Sequence, residues 1–154
     1  MILLQLFYAD DIALHMKCPG PLERIEYPFI FVSVHFISPT MALEKVPEVD
    51  IDANGVFKYV LIELKDKQGL TKTIVRGYEW AEYHADILDR VAPRLCEKGL
   101  TYDCVGGGRI RHESNTKTLY IYGYSVGFGQ ANHRITVDIF EKELSPLSSG
   151  QYYF

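Results

Sequence analysis

Cysteine is scarce in this chain, positive charge is in deficit, and long apolar runs are missing. The three cysteines, Cys18, Cys96 and Cys104, are odd in number and widely scattered. No C-x-x-C or C-x-x-C-H spacing joins them, so neither a disulfide framework nor a zinc site is implied, and a reducing, cytoplasmic setting is expected. Sixteen Lys and Arg against twenty Asp and Glu leave a net charge of −4. Broad binding to nucleic acid or to an anionic membrane needs a strongly positive face, so neither partner is expected. No apolar stretch approaches the roughly 20 residues of a membrane span. The histidines form no H-x-x-x-H or H-E-x-x-H pair and no cluster with cysteine, so no metal and no cofactor is expected. What the chain does hold is apolar and aromatic residues, 47% and 13% of its 154 positions. That is enough to build a core for one domain.

The first forty residues differ from the rest. Residues 1–8 are apolar but lack the positive start of a signal peptide, and Asp10 and Asp11 then interrupt them, so secretion is not expected. Pro19, Pro21, Pro28 and Pro39 break up the remainder of this stretch. The run Phe7-Tyr8-Ala9-Asp10-Asp11-Ile12-Ala13-Leu14 resembles the active-site hairpin of retroelement reverse transcriptases. A two-metal site also needs a third carboxylate and a palm sheet, and neither can be found. Residues 1–40 are read as an N-terminal extension outside the fold, poorly packed apart from a candidate strand at 29–37. Residues 41–154 are read as the functional domain, with Met41 as its natural start.

Within that domain, residues 55–65 alternate and are rich in Val, Ile, Tyr and Phe, which predicts a strand. One face carries Val56, Lys58, Val60, Ile62 and Leu64; the other carries Phe57, Tyr59, Leu61 and Glu63. A turn at 66–69 and a strand at 71–78 complete a hairpin. From His84 the period becomes helical through Ile87, Leu88, Val91 and Leu95, with Gly99 as a stop and Pro93 expected to kink or shorten the helix. Short strands are predicted at 101–105, 109–112 and 118–124. A glycine-containing loop comes next, at 126–132. The last predicted element is an amphipathic helix at 133–144, with Ile135, Ile139, Phe140 and Leu144 on one side. Strands, helix, strands, helix is the order of an α+β fold: a single mixed sheet with two main helices packed on it.

Three patterns carry candidate chemistry. Asp50-x-Asp52-x-Asn54-Gly55 spells half of an EF-hand loop, but Leu61 stands where the bidentate Glu belongs, so an acidic turn entering a strand is the better reading. Gly127-x-Gly129-x-x-Asn132 lacks the third glycine and the βαβ setting of a dinucleotide fingerprint, yet its glycines could free backbone N–H groups for an anion. Gly106-Gly107-Gly108-Arg109 could be a bulge past which another backbone runs, or could aim the Arg109 fork at a phosphate. Lys58, on a mainly apolar strand face, is either a snorkelling lysine or a point charge for a phosphoryl oxygen.

Together these stretches resemble the phosphohistidine phosphatase (Janus/Ocnus) family. The likeness runs from about residue 47 to 144. It rests on Val49-Asp50-Ile51-Asp52 with Gly55-Val56-Phe57-Lys58-Tyr59-Val60, on Ile74-Val75-Arg76-Gly77-Tyr78 leading to Trp80-Ala81-Glu82-Tyr83-His84-Ala85-Asp86-Ile87, and on Gly106-Gly107-Gly108-Arg109-Ile110, His112 and Tyr122-Gly123-Tyr124-Ser125. The resemblance implies a monomeric hydrolase that cleaves the P–N bond of phosphohistidine in proteins without a metal. It implies that His84 is catalytic, that Lys58 and Arg109 bind phosphate with the backbone amides of Ser125, Val126 and Gly127, and that His133 and Arg76 are secondary. His133 is the candidate proton donor to the leaving imidazole. The tail at 147–154 departs from the family pattern, so loss of an edge strand is expected. The rival reading is a regulatory module that binds phosphorylated side chains without turning them over.

Overall fold

The computed structural model describes residues 39–144 and 151–153. Helix α1 (Pro39–Glu44) leads into strands β1 (Val49–Ile51), β2 (Asn54–Lys65) and β3 (Thr71–Tyr78). Helix α2 (His84–Glu97), strands β4 (Thr101–Glu113) and β5 (Thr118–Tyr122), helix α3 (His133–Leu144) and strand β6 (Gln151–Tyr153) complete the order. The strands form one sheet in the order β1-β3-β2-β4-β5-β6. The outer pairs β1/β3 and β5/β6 are parallel and the inner pairs antiparallel. This is the mixed α+β sheet that the sequence predicts.

β2 is the central strand because both of its faces are apolar. Val60, Ile62 and Leu64 join Ile74, Ile87, Leu88, Val91 and Leu95 beneath α2. Phe57, Tyr59 and Leu61 join Val75, Ile110, Ile121, Val137 and Phe140 beneath α3. The sheet is therefore sandwiched, with α2 on one side and α3 on the other. No helix among the described residues is long and apolar enough to cross a membrane.

Several expectations are corrected. β4 is one continuous strand, not two. A register shift at Leu61/Ile62 pairs Leu61 with Gly106 and Ile62 with Cys104, so Val105 is an extra residue taken up as a bulge. Pro93 does not end α2, which continues to Glu97. Proline removes one hydrogen bond, while Val91 and Leu95 on the buried side hold the helix to the sheet. In α3 the buried residues are Thr136, Val137, Ile139 and Phe140, whereas Ile135 is 42% exposed. The tail does supply an edge strand: β6 pairs with β5 through Thr118↔Gln151, Leu119↔Tyr152 and Tyr120↔Tyr153. The candidate strand at 29–37 and the aspartate pair at 10–11 lie outside the described residues.

Candidate active site

His84 opens α2. Tyr83 before it is extended at φ −120° and ψ 156°. Its backbone N–H donates to the Asp86 carboxylate at 2.6 Å, which fixes the first turn. The imidazole Nε2 lies 2.9 Å from the carbonyl oxygen of Gly108. A carbonyl can only accept, so the proton is on Nε2 and Nδ1 keeps its lone pair. Burial lowers the His84 pKa below its ordinary 6.5; the Gly108 carbonyl opposes this, and the Lys58 and Arg109 cations add to the lowering. The ring is neutral at neutral pH.

Those two cations are neighbours by register. Lys58 pairs with Tyr78 on one side and Arg109 on the other, and Arg109 pairs with Tyr122. Cross-strand partners share a face, so Tyr78, Lys58, Arg109 and Tyr122 form one row on the α2 side of the sheet. Neither cation has an ion-pair partner among the described residues.

The loop after β5 closes on itself. Ser125 N–H donates to Gly129 O at 3.1 Å, Gly129 N–H to Ser125 O at 2.9 Å, and Phe128 N–H to Ser125 Oγ at 3.2 Å. It is stitched to β4 where β5 has ended: Gly107 N–H donates to Gly129 O and Ala131 N–H to Gly107 O, both at 3.1 Å. Phe128 packs against the α2-side core, which turns the loop toward His84. The N–H groups of Val126 and Gly127 have no acceptor among the described residues, and Val126 is 93% exposed. The Ser125 N–H is already bonded, so of the three amides expected to face an anion only two remain free.

The glycines make this closure possible. A Cβ on Gly106, at φ +135°, would lie 2.5 Å from Ala131 N. On Gly107 it would lie 2.8 Å from both His84 Cδ2 and Tyr59 O, and 3.1 Å from Ser125 Cβ. Both readings of the glycine run therefore meet in one place: a backbone passes close, and His84 and the loop converge over β4 beside Arg109.

The other expected residues are not part of this group. Arg76 is 4% exposed. Its guanidinium donates to the carbonyls of Val75 at 2.7 Å, Pro47 at 2.8 Å and Glu48 at 3.4 Å, tying β3 to the segment before β1. His133 lies across the sheet. Neighbouring strand residues face opposite ways, and a Cβ on Gly108, unlike one on Gly107, would meet His133 Cε1 at 3.0 Å and Tyr59 Cε1 at 2.9 Å. Both His133 nitrogens are engaged: Nε2–H donates to Gly123 O at 3.0 Å, and Nδ1 accepts from Tyr59 O–H at 2.7 Å. His133 therefore anchors the start of the loop from behind and is not placed to protonate a leaving group at His84. His112 Nδ1 contacts Asp52 O at 3.0 Å. Asp50 Oδ2 accepts from Tyr78 O–H at 2.8 Å and Asp52 Oδ2 from Glu79 N–H at 2.6 Å, so the EF-hand-like aspartates brace β1 against the end of β3.

Two further features bear on the site, and the first is legible in the sequence itself. Residues 123–127 spell G-x-S-x-G, the nucleophile-elbow pattern. Here Ser125 is 2% exposed, its Oγ accepts from Phe128, and it sits in a closed loop rather than a strand-to-helix turn. Tyr59 is the second: fully buried, with burial pushing its phenol up to about 12 against the lowering effect of Thr136. Its only sequence signal is a hydroxyl on an apolar face, which needs a partner when buried.

Comparison with known proteins adds an independent line. Residues 43–147 match the Janus/Ocnus family (Ocnus) profile. A 14 kDa phosphohistidine phosphatase of Sus scrofa is 50% identical over 102 residues, 62% of this chain and 81% of that protein. The protein of the same name from Homo sapiens is 48% identical over 102 residues, 62% of this chain and 82% of that protein. A sex-regulated protein janus-A of Drosophila pseudoobscura pseudoobscura is 45% identical over 96 residues, 59% of this chain and 64% of that protein.

Proposed function

We propose that this chain, which belongs to the Janus/Ocnus family, is a protein phosphohistidine phosphatase that hydrolyses the P–N bond of phosphohistidine in protein substrates. The observation that carries this reading is the convergence over Gly107 of β4: a neutral imidazole with a free Nδ1, two cations in the next row, and a loop with two unbonded N–H groups. Phosphoryl transfer asks a protein mainly for positioning and for charge around the equatorial oxygens. Lys58, Arg109 and the N–H groups of Val126 and Gly127 supply that charge. They supply it without a metal, and the chain acts as a cytoplasmic monomer whose functional domain is residues 41–154.

His84 supplies the proton chemistry. On one route Nδ1 takes a proton from water as its oxygen attacks phosphorus. The P–N bond breaks, and the same proton then serves the departing imidazole. On the other route Nδ1 attacks phosphorus directly, the substrate P–N bond breaks as the departing imidazole takes a proton from water, and a second water later releases phosphate from His84. In both, the Nε2–H bond to Gly108 holds the tautomer that leaves Nδ1 available. Quenching in base and looking for phosphate on His84 separates the two.

The test is phosphate release from a phosphohistidine peptide, wild type beside His84→Ala, with and without a chelator. The substitution is expected to lower kcat by about 10²–10⁴-fold while the fold survives, and the chelator is expected to change nothing. A His84→Ala variant with near-normal turnover rules out this role. Wild type that binds the peptide without releasing phosphate identifies a binding module instead, and a chelator-sensitive rate overturns the metal-free reading.

A further inference from the structure

Among the described residues, the sheet face that holds Lys58 and Arg109 is only half covered. α2 overlies β2 from Leu64 back to Val60, and His84 stands at the margin. Beyond the Lys58–Arg109 row the next row, Val56–Arg111–Tyr120, runs in register across β2, β4 and β5, with Asn54–Glu113–Thr118 as the last. Alternation puts it on the same side of the sheet. Val56 is 48% exposed, Tyr120 36% and Tyr122 43%. On the reverse side of these strands Phe57, Ile110, Leu119 and Ile121 are buried beneath α3, so the opening is one-sided.

This strip has a charge character of its own. The chain carries a net −4, yet Lys58 and Arg109 share one row here and Arg111 stands in the next, and the Glu113 carboxylate pairs with Arg111. The Arg111 guanidinium lies 5.6 Å from the Tyr120 ring centre, which holds its planar fork above an aromatic floor.

We propose that this strip is the docking platform for the polypeptide around the phosphohistidine, and that it selects segments with carboxylates close to the modified residue. The inference rests on the phosphatase reading and deepens it. The platform is continuous with the phosphate cations: one row is two residues along a strand, about 7 Å. That is the spacing of side chains two apart in an extended peptide, so a phosphate held at Lys58 and Arg109 sets the residue two positions away over Arg111 and Tyr120. Val56 and the tyrosines exclude water there, and Arg111, whose Nε and Nη2 already donate to Glu113, turns its Nη1 edge to a carboxylate.

The experiment compares kcat/KM of the full chain for phosphoramidate, which fills only the phosphate site, with that for three phosphohistidine peptides bearing Glu, Ala or Lys two positions either side. Wild type is expected to prefer Glu over Ala over Lys, with a spread of about tenfold that shrinks as salt is added. Arg111→Glu is expected to reverse the order and leave phosphoramidate hydrolysis unchanged. Tyr120→Ala is expected to raise KM for all three peptides and not for phosphoramidate. If Arg111→Glu lowers phosphoramidate turnover as well, Arg111→Gln carries the test: loss of the Glu preference supports the platform and its retention overturns it. Wild type that hydrolyses all three peptides equally overturns it too. Wild type inactive on every substrate defeats the phosphatase reading itself, which separates the two failures.

Discussion

Replacing Gly107 by alanine adds one methyl group at the most crowded point of the site. The new Cβ would stand 2.8 Å from the Tyr59 carbonyl oxygen, 2.8 Å from His84 Cδ2 and 3.1 Å from Ser125 Cβ. Alanine at a permissive glycine position stabilises by about 0.4–1 kcal/mol through the unfolded chain. Overpacking at a site this tight costs about 1–3 kcal/mol, so a net loss of roughly 1–2 kcal/mol is expected. The Tyr59 carbonyl belongs to β2 and cannot retreat without disturbing its ladder with β4. The imidazole is held chiefly by one hydrogen bond to Gly108, so the ring yields first. Displacing a catalytic group by about 1 Å costs on the order of 10²-fold in rate. Urea unfolding gives the stability and phosphoramidate turnover gives the rate. Gly127→Ala serves as the stability control, since a Cβ there meets nothing within 4 Å. A Gly107→Ala protein with wild-type stability and wild-type turnover would refute the argument that this glycine exists to let His84 approach.

The same contacts set other outcomes. Lys58→Met should weaken phosphate binding, seen as a raised KM. It also removes a charge that holds the His84 pKa down. The neutral ring is the active form, so activity is lost as pH falls through the His84 pKa; in wild type that acid limb should lie below 6.5, and in Lys58→Met it should move upward. A limb that stays put or moves down counts against the Lys58–His84 coupling. Tyr59→Phe deletes the hydroxyl that bonds His133 Nδ1 at 2.7 Å. About 1 kcal/mol of stability should go with it, and KM should rise as the loop's rear anchor loosens; unchanged unfolding curves would contradict this. Arg76→Leu leaves the Pro47 carbonyl without its guanidinium donor and should destabilise by about 1–3 kcal/mol in urea.

How much is legible in the sequence depends on whether face or register decides the outcome. The period of β2 shows directly which residues share a side, so Lys58 can be set among Val60, Ile62 and Leu64 before any strand is paired. His84 is marked by the change from a strand to a helix period. Arg109 sits beside a glycine run whose crowding has a physical cause. β4 is misread because a bulge inverts its alternation midway, and a sequence scan sees two short strands out of step. The places of His133 behind the sheet and of Arg76 among backbone carbonyls escape the sequence for a related reason. Which side of the sheet a helix start occupies, and which carbonyls a long side chain meets, are fixed by tertiary packing and leave no local pattern. Ile135 and Thr136 are adjacent on α3, and only the docking angle of that helix decides which of them is buried.

The bulge at Val105 acts as a parity switch. Ahead of it the even-numbered residues of β4, Tyr102 and Cys104, lie against the α2 layer; behind it the odd-numbered ones, Gly107, Arg109 and Arg111, inherit that side. One inserted residue between the switch and Arg109 would exchange odd for even, turning the guanidinium toward hydrocarbon and Ile110 toward water. Extra residues in the 114–117 turn leave the count untouched. Length variation in relatives with an intact site should therefore gather at that turn and avoid the short span between the switch and the guanidinium.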